Sequence, residues 1–333
     1  VERRKIALVT GGAGFIGSHL SEFLIGHGYY VRILDNLSNG TMSNLDTINP
    51  DDYQLIIGDV SADLDLDWFK DVEVIFHLAG IGDVIPSIQF PINYMRVNSY
   101  GTYNLLNAAS QSRIKNFIYA ASSSCYGNAK VPTNERADIS MMHPYALSKY
   151  LGEQAVLNWP KYSEIRAMSV CVFNAYGRRF KSSGAYGSVL GVFLKQSLEG
   201  VALTVVGDGS QTRDFVHVKD LCRAFYLTFT KGTSGSRYNI GSGKGVSILE
   251  IAKLLGSSIV HIPKRAGEAI DTLADIAKAR EELGWEPTID FSDGLRELID
   301  NIQEWKSAPL WTPESIKKEV SRWDDLIGKK NGL

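Results

Sequence analysis

Short apolar runs recur along the first half of the chain, spaced so that a helix fits between them. Residues 5–9, 30–34, 54–58, 74–78, 116–120 and 167–172 each read as a buried strand, and helical patterns fill several of the gaps. That alternation predicts an α/β fold built on a parallel sheet. In such sheets ligands collect at the carboxyl ends of the strands, which is where Gly11, Asp35, Asp59, the run 77–80 and Ser122 fall. Further on, 249–255 and 276–283 carry helical spacing. The stretch Trp311-Thr312-Pro313-Glu314 reads as an N-cap with proline at the first helical position, before a face of Ile316, Val320, Trp323 and Leu326. This last helix is expected to pack on the body.

The first predicted strand runs directly into Thr10-Gly11-Gly12-Ala13-Gly14-Phe15-Ile16-Gly17-Ser18. Glycines in a strand-turn-helix context allow a tight turn and a close approach of backbone to a pyrophosphate, while the helix N-terminus offers unpaired N–H groups to the anion. The second strand ends at Asp35, about twenty residues on, where an acidic side chain accepts from the adenosine ribose. The following 36–40 stretch carries no Lys or Arg to meet a 2′-phosphate. NAD is therefore expected rather than NADP. Asp59 and Val60, closing the third strand, are read as flanking the adenine.

A second cluster lies across 120–149: Ala-Ala-Ser122-Ser123-Ser124-Cys125-Tyr126-Gly127, then Tyr145-Ala-Leu-Ser-Lys149. Tyr and Lys four apart share one helix face. The ammonium is expected to lower the phenol from its ordinary value of about 10 toward neutrality and make it a general base.

Composition sets limits on partners. At 333 residues, 44% apolar and a net charge of −2, the chain can bury a sizeable core in one large or two intimate domains. Near neutrality gives no general electrostatic case for nucleic acid or an anionic membrane. Three cysteines without a close pair point to a reducing compartment and away from a disulfide framework or a CxxC zinc site. Cys125 is expected to be a buried structural thiol, and no metal is expected. No apolar run reaches transmembrane length and the opening residues lack the apolar core of a secretory signal, so a cytoplasmic protein is expected.

With these residues in hand the chain resembles the extended short-chain dehydrogenase/reductase family, and within it the nucleotide-sugar 4-epimerases. The resemblance runs through TGGAGFIG at 10–17, DNLSNG at 35–40, HLAG at 77–80, SSSCYG at 122–127, YALSK at 145–149, FNAYG at 173–177, GDGSQTRDFVHVKD at 207–220, YNIGSG at 238–243 and RAGE at 265–268. It implies a Rossmann-type doubly wound parallel sheet with a smaller, interleaved α/β substrate-binding domain. Residues 1–173 and a return segment near 214–242 would bind NAD, and 174–213 with 243–333 would bind the nucleotide sugar.

The resemblance also implies roles. Tyr145 is the base, Lys149 grips the nicotinamide ribose and tunes the tyrosine, and Ser122 bonds the reacting sugar oxygen. NAD contacts are implied at Gly11, Gly14, Phe15, Ile16, Gly17, Asp35, Asn36, Ser38, Asn39, Gly40, Asp59, Val60, Leu78, Ala79, Gly80 and Asn98. Asn174, Arg213 and Arg265 are expected at the diphosphate, Glu268 at the nucleotide ribose, and Gly82, Ser123, Ser124, Val189 and Thr272 around the sugar. Arg178, where the family usually has proline, is expected to be solvated.

Serines stand at 123 and 124 where the dehydratases and decarboxylases of the family carry acids, so inversion at C4 of a UDP-hexose or UDP-N-acetylhexosamine is the expected reaction. Gly82 and Thr272 leave room for the acetamido group. A 4,6-dehydratase or a ketoreductase on a UDP-, GDP-, CDP- or dTDP-sugar is the alternative. Helices near 93–111 and 145–158 match those of the family's dimer interface, which implies a homodimer.

Overall fold

A computed structural model describes residues 4–180, 188–263 and 271–318. The six apolar runs become β1 (Ile6–Thr10), β2 (Tyr30–Asp35), β3 (Tyr53–Ile57), β4 (Val72–His77), β5 (Asn116–Ser122) and β6 (Arg166–Val172). Between them run α1 (Phe15–Gly26), α2 (Val84–Gln89), α3 (Pro91–Tyr94), α4 (Gly101–Gln111) and α5 (Pro144–Asn158). The second half adds β7 (Asn174–Tyr176), α6 (Val189–Leu198), β8 (Leu203–Val206), β9 (Thr212–His217), α7 (Val218–Lys231), β10 (Arg237–Ile240), β11 (Gly245–Ser247), α8 (Ile248–Leu255), β12 (Ile259–Ile262) and α9 (Phe291–Asp300).

Seven strands form one parallel sheet in the order β10-β6-β5-β4-β1-β2-β3. The order reverses between β1 and β4, and a crevice opens at the carboxyl ends of such a pair. β1 is buried along its whole length, as a strand covered by helices on both faces must be. The helices obey local chemistry. α8, for example, starts at Ser247, whose hydroxyl accepts from the Glu250 N–H (3.1 Å), and stops at Gly256 in the left-handed conformation (φ 67°).

The remaining strands make a three-stranded sheet (β11-β9-β7) and a two-stranded one (β12-β8) over a second core that includes Tyr176, Phe193, Leu203, Phe215, Ile251 and Trp305. β9 belongs to the small sheet, α7 and β10 return to the large one, and Ala274, Ile276, Ala279, Leu283 and Trp285 pack in the larger core. Asp220 explains the last point. Its carbonyl accepts from the Trp285 indole (3.0 Å) and its carboxylate from the Thr288 and Ile289 N–H groups (2.9 Å each), which holds 285–289 against α7.

Arg178 is exposed, as expected, and its guanidinium also donates to Glu304 (2.7 Å). The adjoining Arg179 donates to Ser18 Oγ (3.2 Å), Thr47 Oγ1 (2.8 Å) and Glu22 (2.7 Å), so the pair straps the chain after β7 across α1. The helical spacing at 311–316 is met by a helix from residue 313 that seats Trp311 and Ile316 in the second core. Val320, Trp323 and Leu326 lie outside the described residues.

Beneath the sheet, Glu153 of α5 pairs with Arg237 at the start of β10. Both are nine-tenths or more buried, Ser169 Oγ also donates to Glu153 (2.6 Å), and Arg237 reaches the Tyr126 hydroxyl (3.3 Å). Removing one partner of a buried pair strands the other charge. Glu153→Ala should cost about 3–5 kcal/mol of unfolding free energy, whereas Glu153→Leu with Arg237→Met should cost distinctly less. Equal losses in denaturant titrations of both variants would contradict this.

Candidate active site

The glycine turn sits in the crevice between β1 and β4. Gly11 has φ 69°, and a Cβ there would lie 2.7 Å from the Ala79 nitrogen; one on Gly17 would meet the Gly11 oxygen. Only glycine fits either position. Gly14, by contrast, is the N-cap of α1 with no side-chain cap, and a Cβ there would meet nothing closer than Gly11 O at 3.1 Å. The first-turn amides behind Phe15, Ile16 and Gly17 therefore form an uncapped helix N-terminus, the donor set a pyrophosphate takes.

Asp35 is buried at the end of β2, where its carboxylate accepts from Ala13 N (2.9 Å) and Leu37 N (2.8 Å). Those bonds lock the acid beside the turn and leave lone pairs for a ribose diol. Asn36 donates to Asp59 (3.2 Å) and accepts from Ser38 N (3.0 Å), shaping a loop whose Asn36, Ser38 and Asn39 are exposed and whose Gly40 lies against Ala13. Burial would push Asp59 up, but bonds from Ser61 and Asn36 outweigh it and hold the acid ionised below its ordinary range. Val60 turns into the core against Gly101, and its carbonyl accepts from Asn104 (2.9 Å). The residues present fit NAD.

Between this turn and the second core lies a cavity of about 630 Å³, lined by Phe15, Ile16, Leu78, Gly80, Gly82, Ser122, Ser123, Ser124, Tyr145 and Lys149 from one side. Asn174, Val189, Arg213 and Thr272 line it from the other. Asn98 does not line it. In a π-helical stretch (Met95–Tyr100), its amide accepts from Ile81 N (2.8 Å) and donates to Ile81 O (3.0 Å) and Ser148 Oγ (3.0 Å). Asn98 thus clamps the loop after β4 to α5.

α5 begins at His143, whose ring accepts from Ala146 N (3.2 Å), with Pro144 at its first position. Burial holds that imidazole neutral, down to about 4. Tyr145 and Lys149 follow on one face, and Ser122 ends β5 opposite them. Ser122 Oγ lies 2.7 Å from Ser124 Oγ, and both line the cavity together with the Tyr145 phenol.

The electrostatics differ from the expectation. Burial pushes the Tyr145 phenol up despite the Ser122 bond, and drives the Lys149 ammonium down to about 7 against the weaker pull of Glu153. Lys149 stands 4.3 Å over the Tyr119 ring. Desolvation is thus the dominant influence at both groups.

On the far wall, buried Asp214 accepts from Ser242 Oγ (2.7 Å), Gly243 N (3.1 Å) and Ala274 N (2.9 Å). Its carbonyl takes the Asn174 amide (3.1 Å), which also donates to Thr272 Oγ1 (3.1 Å). Neighbouring Arg213 donates to Thr212 O (2.9 Å). Asp214 escapes a reading of the motifs because it acts by pinning backbone far away in sequence. Arg265 and Glu268 lie outside the described residues.

A dinucleotide crevice opening onto a Ser-Tyr-Lys cluster is the arrangement of an NAD-dependent enzyme. The chain belongs to the NAD dependent epimerase/dehydratase family, whose model matches residues 7–241. It is 36% identical over 304 residues to a putative UDP-glucose 4-epimerase of Methanocaldococcus jannaschii, covering 88% of this chain and 97% of the relative. Among solved structures, a UDP-N-acetylglucosamine 4-epimerase of Methanobrevibacter ruminantium superposes with a TM-score of 0.84 at 31% identity, over 90% of this chain and 98% of that one. A UDP-glucuronic acid 4-epimerase of Bacillus cereus, solved with UDP-glucuronic acid and NAD, gives 0.83 at 32%, over 90% and 99%. Decarboxylases and a dTDP-glucose 4,6-dehydratase match as well, at 31–33% identity. Among the described residues no helix is long and apolar enough to cross a membrane.

The lowered Lys149 value carries a stability consequence. An unfolded lysine titrates near 10.4, so between about pH 7 and that value the folded state binds fewer protons than the unfolded one. Stability from this residue rises with pH through that window, and the full penalty applies below it. Lys149→Met should therefore stabilise the ligand-free protein, on the order of a few kcal/mol at pH 6 and less at pH 9. Thermal melts showing the same shift at both pH values would refute it.

Proposed function

We propose that this enzyme inverts C4 of a UDP-hexose or UDP-N-acetylhexosamine through a transient 4-keto sugar, working as a homodimer. The observation that supports this best is the cluster of Ser122, Ser123 and Ser124 lining the cavity with Tyr145, hydroxyls with no carboxylic acid among them. Elimination across C5 and C6 calls for an acid beside the sugar, and neither Ser123 nor Ser124 is one at neutral pH. Asp83 is the one carboxylate lining the cavity among the described residues, and it comes from the loop after β4.

Bound NAD supplies the hydride acceptor and donor that lets C4 become a ketone and return. Tyr145 takes the C4 hydroxyl proton and gives it back, and Ser122 holds the sugar oxygen in line with the phenol. Once a ribose shields it, Lys149 donates to that group and stabilises the phenolate. Arg213, with Asn174 behind it, faces the diphosphate, and Asp35 with the Lys- and Arg-free loop at 36–40 receives the unphosphorylated adenosine ribose. Gly82, where a Cβ would meet nothing within 4 Å, and the short Thr272 leave space for an acetamido group.

The dimer is proposed from the outer face of α3, α4 and α5, which exposes Phe90, Ile92, Tyr100, Tyr103 and Leu151. An apolar face of that kind marks an association surface. Light scattering should give twice the chain mass of 36.7 kDa; a monomer at micromolar concentration would count against it.

The reaction is tested by NMR of product mixtures from UDP-glucose and UDP-N-acetylglucosamine. The expected result is the C4 epimer without net NADH formation, and Tyr145→Phe should lower kcat by roughly 100-fold or more while leaving UDP-sugar affinity nearly intact. A dehydrated or decarboxylated product, or an undiminished Tyr145→Phe variant, would overturn the reading.

A further inference from the structure

Residues 178–180 hold one face of α1, the helix whose uncapped N-terminus offers its amides to the pyrophosphate. Phe15, Ser18, His19 and Glu22 make that face, three and four residues apart. The Phe180 ring meets Phe15 edge to face at 5.1 Å, Arg179 donates to Ser18 Oγ (3.2 Å) and Glu22 (2.7 Å), and His19 Nε2–H donates to the Arg178 carbonyl (3.0 Å). Thr47, from the loop after β2, accepts from Arg179 (2.8 Å) and donates to Glu22. Ser18 passes the contact on, since its hydroxyl donates to the Phe15 carbonyl in the first turn (3.1 Å). The same residues are fixed on the far side as well. The Arg178 side chain and the Arg179 N–H both donate to Glu304 (2.7 and 3.1 Å), the neighbour of Trp305 in the second core.

Arg179 has φ 62°, a left-handed conformation that residues other than glycine rarely adopt. It persists only where the surroundings hold it, and it concentrates at ligand clamps. Here the holding groups are Ser18, Glu22 and Thr47. The Arg179 side chain is only 15% exposed, so its bond to Glu22 is a charge-assisted one that salt screens weakly. Phe180 lines the cavity together with Phe15 and Ile16 of the cofactor turn.

We propose that residues 178–180 are a strap that retains NAD: Arg179 and Phe180 fasten the second core to the first turns of α1, so the dinucleotide leaves only after these bonds break and stays bound from one turnover to the next. The inference rests on NAD lying at the first turn of α1, not on which sugar reacts. Slow departure is set by the contacts that have to break on the way out. A reaction that takes a hydride from C4 and returns it restores the cofactor in every cycle and needs no exchange with solvent. Release between the two transfers would leave a 4-keto sugar and an enzyme without its reductant. The strap therefore suits the proposed inversion, and it would slow a net oxidation or reduction.

The test follows the cofactor and not turnover. Protein carrying isotopically labelled NAD is mixed with excess unlabelled NAD, and the label still bound is read over time by mass analysis. Wild type should keep its label for about an hour or more. Arg179→Met, which keeps the stem and removes the donors, should release it about tenfold faster or more, the size of one lost hydrogen bond to a charged group. Phe180→Ala should act in the same direction. Arg223→Met, which removes an ion pair with Asp220 away from the cofactor turn, should release at the wild-type rate. Label lost from wild type within about a minute, an Arg179→Met rate matching wild type, or an equal acceleration in Arg223→Met overturns the proposal. If Arg179→Met does not fold, Thr47→Val decides in its place: faster release supports the strap and a wild-type rate overturns it. The two readings fail separately. Faster release from Arg179→Met with no C4 inversion by wild type sinks the proposed reaction alone, and C4 inversion with unaltered release sinks the strap alone. A wild type that binds no NAD removes both.

Discussion

The main chains of Gly11 and Ala79 stand so close that no side chain fits between them, with a methyl group on Gly11 lying 2.7 Å from the Ala79 nitrogen. This contact joins the turn after β1 to the loop after β4 at the point where strand order reverses. Everything reactive is hung from it. The turn presents the α1 N-terminus, the loop carries Gly80 to Asp83, and Asn98 fastens that loop to α5 and so to Tyr145 and Lys149. A cofactor seat and a proton-transfer group that come from distant parts of the chain are thereby fixed to one another through backbone rather than through long side chains.

The opposite wall is organised by buried carboxylates instead. Asp214 gathers the loops at 242–243 and 274 and supports Asn174, while Asp220 gathers 288–289 against α7. Burial raises Asp214 even though these donors act to lower it. Both acids spend their charge on N–H and hydroxyl donors from separate segments, and the chain can cross between the two cores several times because of that.

What was legible in the sequence was what local spacing encodes. The strand runs, the glycine turn, Asp35 after the second strand and the Tyr145–Lys149 pair all depend on residues near one another in the chain, and each sits where the pattern put it. The inward role of Asn98, the Glu153–Arg237 pair, the tie between Arg178 and Glu304 and the return of 274–285 to the larger core depend on partners 17 to 126 residues away. No periodicity announces such pairings. The protonation behaviour of Tyr145 and Lys149 was misjudged for a related reason, since two charges four apart suggest mutual stabilisation while the deciding quantity, exclusion of water, belongs to the assembled site.

The π-helical stretch at Met95–Tyr100 has its own implication. Tyr94 holds Asp83, Asn98 holds Ile81, and Thr102 shares a hydrogen bond with His77 (3.0 Å), so three residues spaced by four must address one line of neighbours. In a regular α-helix at 3.6 residues per turn, positions eight apart have drifted by about 80° around the axis. The wider π turn cancels much of that drift. The helix is therefore tuned in phase, and its length between Tyr94 and Thr102 is a fixed quantity: losing or gaining one residue there would rotate one anchor off the line, whatever that residue was. Substitutions along this segment are a question of chemistry, but insertions and deletions are a question of register, and only the first kind leaves evolution room to move.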